Sequence, residues 1–159
     1  MNYLPPKQHY ERLAKKPVGA AGLIKNSKGE ILVLKSNYKE AWLLPGGASE
    51  KNESPKSAAM REIKEEIGLD IEVGRMLCID YITRDEVGDG FVVIFDCGKI
   101  SDNLISEIRL QKDEILDYKF VASERALGMV SESMKRRLSK CLEITETKEA
   151  LYLENGELI

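Results

Sequence analysis

Tryptophan and histidine occur once each in these 159 residues, and cysteine only three times. Basic charge is not in excess either: 24 Lys and Arg face 27 Asp and Glu, for a net charge of −3. No apolar run approaches the ~20 residues that span a bilayer, and no repeat, low-complexity tract or long linker interrupts the chain. Each shortage excludes a class. A deficit of positive charge argues against a tight, nonspecific hold on nucleic acid, yet leaves room for a small anion held through a metal. Cys78, Cys97 and Cys141 lie far apart, with no CxxC pair and no zinc-ligand spacing. Cys78 and Cys97 sit in apolar runs and read as buried core thiols. An odd, unpaired set suits a reducing compartment. The start, MNYLPPKQHYERLAKK, lacks the apolar centre of a signal peptide. A cytoplasmic location with no membrane partner is therefore expected. His9 lies in this opening arm and reads as a surface residue.

What is present is ordinary for a soluble globular protein: 43% hydrophobic and 32% charged residues. The length suits one domain with one sizeable core over 1–159. Pro5 and Pro6 mark an irregular arm over 1–16. Residues 18–26 and 30–36 read as two strands of a hairpin around the turn NSKG. The run ILVL predicts burial on both faces of the second strand. AWLLPGG (41–47) reads as a short strand broken by Pro45 and two glycines. Longer strands are expected over 71–83 and 90–98, joined by the acidic turn RDEVGDG, and another over 115–121. Helices are expected over 123–129 and 131–144, the second carrying the basic cluster MKRRLSK as a solvated face. Residues 145–159 form an extension closed by a hairpin at Asn155-Gly156. Strands of mixed direction around one central helix predict an α+β fold.

That central helix carries the chemistry. Ser54 is a good N-cap, Pro55 fits the first helical position, and Gly68 fits the left-handed stop, giving a helix over 55–67. Its last turns, REIKEEIG, crowd Glu62, Glu65 and Glu66 where helix electrostatics oppose acids. Each costs about 0.3–1 kcal/mol there, and like charges at i,i+4 add roughly 0.2–0.5 kcal/mol. On a wheel with Glu62 at zero, Glu66 falls near 40° on one side and Glu65 near 60° on the other. Ala59, Ile63, Ile67 and Met60 make the neighbouring apolar stripe. Three carboxylates on one stripe suit a hard divalent cation, which takes oxygen ligands. A bound ion would offset the crowding.

The spacing upstream sharpens this. From Gly47 the chain runs five residues to Glu53, seven more to Arg61-Glu62, then Ile63, Lys64, Glu65-Glu66, Ile67, Gly68 and Leu69. This resembles the Nudix box at every defined position, over 23 residues. Trp42 before LLPGG, and Pro45-Gly46 before the box, are similar to the family's flanks. The resemblance implies the Nudix fold, a mixed β-sheet sandwiched between helices (α/β/α), with a C-terminal helix and hairpin. It implies hydrolysis of a nucleoside diphosphate linked to another moiety, with Mg2+ or Mn2+. Glu62, Glu65, Glu66 and the Gly46 carbonyl would hold the metal. Arg61 would orient a carboxylate, with Glu53 as its partner, through a fork-shaped ion pair. The acid that takes the proton from the attacking water would be Glu62 or Glu114, the latter just before a strand.

Substrate choice is less legible. The signatures of the NADH-cleaving, ADP-ribose and coenzyme A groups are absent. Tyr38 and Trp42 could stack a base, and Lys35 and Lys39 could meet phosphate. A nucleotide-type diphosphate is the expected partner, without nucleic acid; exposed strand edges and the C-terminal hairpin allow a homodimer. Retention of Glu53, Glu62, Glu65 and Glu66 favours turnover over a non-catalytic sensing module. The net charge gives no support to an RNA-end pyrophosphohydrolase. No cysteine adjoins the box, as an isoprenoid diphosphate isomerase would need.

Overall fold

The computed structural model describes residues 5–85 and 88–159. Eight strands form one sheet: β1 (Val18–Lys25), β2 (Ile31–Ser36), β3 (Gly46–Ala48), β4 (Met76–Ile82), β5 (Gly90–Lys99), β6 (Ile115–Val121), β7 (Leu151–Glu154) and β8 (Glu157–Leu158). Their order is β6-β2-β1-β5-β4-β7-β8, with β3 laid against β1. The pairs β1–β5 and β4–β7 are parallel and the others antiparallel, so the sheet is mixed. Among the described residues five helices accompany it: α1 (Pro6–Arg12), α2 (Pro55–Ile67), α3 (Asp102–Ser106), α4 (Ser123–Met129) and α5 (Glu132–Glu143).

The α/β/α layering follows from alternation along the strands. Leu32 and Leu34 of β2 point into the cluster that holds Ala59, Ile63 and Ile67 of α2. Ile31 and Val33 point into the opposite cluster, with Ala126 of α4 and Leu138 and Cys141 of α5. The ILVL run is thus buried on both faces. β1 faces α2 with small residues: a Cβ on Gly22 would stand 2.8 Å from the Ile63 side chain and 2.7 Å from Cys97 Sγ. This close approach seats α2 on the sheet, where burial of Ile63 and Ile67 contributes about 1.5–3 kcal/mol each.

Several expectations change. The 18–36 hairpin is closed only at its turn, where Lys25 pairs Ile31 and the Asn26 side chain accepts from Lys28 N and Glu30 N. Beyond it the segment leading to the box wedges between the strands. Leu43 exchanges backbone hydrogen bonds with Leu34 of β2, while Gly46–Ala48 pairs with β1. β2 instead runs along β6, and β1 along β5. Pro45 moves the 41–47 strand to 46–48, because its ring leaves no N–H to donate. The strand expected from 71 begins at Met76; Leu69, Ile71 and Val73 before it plug the α2-side core without pairing. Within the arm, residues 6–12 are helical, started by Pro6, and all exposed. α3 had no apolar stripe to announce it; Ser101 caps it. Arg137, expected on a solvated face, is buried. Glu86 and Val87 of the acidic turn lie outside the described residues.

Candidate active site

α2 is built as its sequence demands. The Ser54 hydroxyl accepts from Ser57 N at 3.1 Å, and Gly68 ends the helix at φ 76° with its N–H on the Lys64 carbonyl. Its wheel then decides which acid faces where. Met60, at the edge of the apolar stripe, is exposed, whereas Glu66, next to Ala59 on the wheel, is drawn into the buried arc and is 2% exposed. The three glutamates therefore do not share one environment.

Arg61 organises the outer two. Its Nε and Nη2 fork onto the two oxygens of Glu53 at 2.9 and 3.0 Å. Nη2 also reaches the Ala48 carbonyl at 3.1 Å. Nη1 donates to Glu62 at 2.7 Å and to Glu65 at 3.2 Å. One guanidinium thus ties the 48–53 loop to the helix. Arg61 holds Glu53 below the usual carboxylate range, helped by the Glu50 N–H, and is itself pushed up by Glu53 and then Glu62.

Glu66 lies beyond that arginine. Its carboxylate accepts from Gly46 N at 2.8 Å. Burial pushes its pKa up to about 8; the Gly46 N–H opposes this, and Glu62, Glu114 and Glu65 push further up. Glu114 enters from the turn before β6, where its carbonyl accepts from Asn37 N at 2.9 Å. Beside it, the Tyr38 phenol is pushed up to about 12, first by desolvation of the hydroxyl, then by Glu114, Glu66 and Glu62. Four carboxylates from α2 and the β6 turn are thereby brought to one end of the sheet. Gly47 makes room for Glu62, and Gly46 for the β1 backbone. A Cβ on Gly47 would stand 2.5 Å from the Glu62 carboxyl carbon, and one on Gly46 2.2 Å from the Ala20 carbonyl.

Among the described residues, no three acidic, histidine or cysteine side chains are already gathered as a metal cage. Glu62 and Glu65 are turned to Arg61 instead. The donor set still fits a hard cation: it is all oxygen, carries surplus negative charge, and includes a buried carboxylate, Glu66, without a cationic partner.

A cavity of about 390 Å³ opens beside Gly46 and Gly47. Tyr38 and Lys39 line it; Trp42 does not. The indole packs on the α4–α5 side of the core, under the Lys119 ammonium 4.8 Å from its ring. Lys35 does not line the cavity; its ammonium donates to the carbonyls of Lys39 and Glu40. The cavity wall also includes Arg84, Phe91, Val92 and Met134, which sequence reasoning did not single out. Val92 is there because it pairs Gly19 in the parallel β1–β5 ladder, a register no local pattern announces. The basic turn residue Arg84 was legible only as a charge next to a strand end.

The NUDIX domain model matches residues 15–141. The chain is 45% identical over 64 residues to diphosphoinositol polyphosphate phosphohydrolase 3-alpha of Mus musculus, covering 40% of this chain and 39% of that protein. It is 38% identical over 65 residues to an RNA pyrophosphohydrolase of Hydrogenovibrio crunogenus, covering 40% and 39%. These alignments thus span about two-fifths of the curated relatives' length. The crystal structure of a MutT protein from Methanosarcina mazei Go1 superposes with a TM-score of 0.69 and 26% identity, over 86% of this chain and 100% of that one. The match over most of the chain, on the fold and box geometry described above, shows that the protein belongs to the Nudix family.

Proposed function

We propose that the chain is a metal-dependent hydrolase that cleaves the pyrophosphate linkage of a nucleoside diphosphate joined to another moiety, by attack of water at phosphorus. The Nudix family generally uses a divalent metal. The observation that carries the reading is Glu66: a buried carboxylate beside Glu62, Glu65 and Glu114, with a backbone N–H and, among the described residues, no cation as its partner. Surplus buried charge of this kind is costly unless an ion arrives to share it.

Glu62, Glu65, Glu66 and the Gly46 carbonyl would hold Mg2+ or Mn2+, competing with Arg61 for Glu62 and Glu65. When bound, the ion neutralises phosphate oxygens and lowers the pKa of bound water. The chain's own groups do the rest. Arg61 and Glu53 hold the loop against the helix, so that Gly46 and Gly47 keep their backbone near the reacting phosphates. Glu62 or Glu114 takes the proton of the attacking water. Tyr38 and Lys39 face the substrate from the cavity wall; Trp42 supports that wall from behind.

One Nudix domain over 1–159, a cytoplasmic location and a homodimer through the sheet edges belong to the same proposal. Three thiols free of disulfides support the location. Among the described residues no helix is long and apolar enough to cross a membrane.

The test is a product-resolved hydrolysis screen of nucleoside triphosphates, nucleotide sugars, ADP-ribose and dinucleoside polyphosphates. Each is run with magnesium, manganese or chelator, and with Glu66→Gln. Metal-dependent cleavage lost in the variant is expected. Tight binding of a nucleotide that is never cleaved would move the reading to a sensing module.

A further inference from the structure

The cavity beside Gly46 and Gly47 does not end at Lys39. A second one, of about 420 Å³, adjoins it, and Lys39, Leu43, Arg84, Val92 and Met134 line both. The two form one furrow across the sheet end. Its near end rests on Gly46 and Gly47, against which the Glu66 and Glu62 carboxylates pack. Its far end reaches Arg136 and Asn155.

The two ends have opposite charge. Among the described residues of the far cavity are Lys39, Arg84, Arg136 and Arg137, with no Asp or Glu. Arg137 is neutralised by Asp80 at 2.8 Å. Arg136 donates to the Asn155 carbonyl at 3.1 Å and stands 4.0 Å from the Glu157 carboxylate. Both side chains of that pair are well exposed, so it competes weakly for an anion. Where the two cavities meet, Lys39 and Arg84 stand beside Leu43, Val92 and Met134, and Arg136 lies beyond them, in the second cavity alone. A ligand matching this order has an anion at the carboxylate end, carried by a metal, and a second anion beyond it, at the junction and far end where Lys39, Arg84 and Arg136 stand. Guanidinium groups present N–H forks that suit phosphate oxygens.

We propose that the substrate carries a further phosphate, beyond the scissile diphosphate, on one of the two moieties that the diphosphate joins, and that Arg136 receives it together with Arg84 and Lys39. This rests on the hydrolase reading of the carboxylate end.

The experiment has two arms. In the first, inorganic tripolyphosphate is titrated into the 15N-labelled protein in chelator, where the carboxylate end repels anions. Shifts at Thr83, Arg84, Ser133 and Arg136 are expected, and affinity should fall by at least about tenfold in Arg84→Gln/Arg136→Gln. An unchanged amide spectrum of the free variant certifies its fold. A footprint elsewhere, or equal affinity in the variant, would overturn the proposal. In the second arm, matched diphosphates differing by one phosphate are compared with metal present: coenzyme A against its 3′-dephospho form, and NADPH against NADH. The phosphorylated member should have the higher kcat/KM, and the variant should erase the preference through KM. Equal handling by the wild type would overturn the proposal while leaving the hydrolase intact. A tripolyphosphate footprint in a protein that cleaves no diphosphate would overturn the hydrolase reading and the substrate inferred from it, leaving only an anion site.

Discussion

Two arginine–carboxylate groupings sit on opposite faces of the sheet and differ in their arithmetic. On the α5 face, Arg137 and Asp80 are 4% and 0% exposed and balance one to one. Arg137 Nε donates to one Asp80 oxygen at 2.8 Å, and Gly156 N donates to the other at 3.0 Å. This pair ties α5, β4 and the C-terminal hairpin together, and its charge is closed. On the α2 face, Arg61 is shared among Glu53, Glu62 and Glu65, while Glu66 stands outside its reach. That grouping is left with excess negative charge. Closed charge serves architecture; unbalanced charge beside a cavity invites a ligand.

The largest effect should come from the open side. Glu66→Gln keeps the shape and the Gly46 hydrogen bond but removes the charge. It should lower kcat by roughly 10²–10⁴-fold on any diphosphate the wild type cleaves; wild-type turnover in the variant would remove Glu66 from the chemistry. On the closed side, Arg137→Met strands a buried carboxylate and should cost about 3–5 kcal/mol in urea unfolding. Asp80→Leu combined with Arg137→Met should recover most of that loss; failure to do so would mean that the charge pair itself holds the fold.

A pH titration separates the two groupings further. In chelator the folded-state pKa of Glu66, about 8, lies above its ordinary value of 4.5. Folding then takes up a proton, so the stability tied to this group is full below pH 4.5 and is lost as pH rises toward 8. The loss should be on the order of 4 kcal/mol between those limits. Glu66→Gln should flatten the slope, and magnesium should restore wild-type stability at the alkaline end; a flat wild-type curve in chelator would refute the burial argument. The smallest effect belongs to α2's cap: Ser54→Ala should lower stability by about 1 kcal/mol, with no change in the pH slope.

Legibility differed between the groupings for a physical reason. Arg61, Glu53 and the three glutamates lie within one loop and one helix, where spacing dictates proximity. Arg137 and Asp80 are 57 residues apart and meet only because α5 packs on β4. The same holds for Cys78 and Cys141, distant in the chain, whose sulfurs stand 3.2 Å apart in the α5-side core. Glu66 was a border case. Its position on the wheel was readable, but its burial depended on how far the sheet overlaps the helix. Trp42 was open for a related reason: an aromatic beside the box can face either side of the wall it belongs to, and its packing on the α4–α5 side is set by tertiary contacts.

By itself the sequence determined the span of α2, with its cap, its stop and its acidic end, the α+β class and the strand over 115–121, because those rest on contacts a few residues long. Tertiary structure alone decided the splayed hairpin, the parallel β1–β5 ladder, the cavity wall with Arg84 and Met134, and the burial of Glu66 and Arg137. Each of these depends on which surfaces meet across the sheet, and that is settled by the packing of the whole core rather than by any local periodicity.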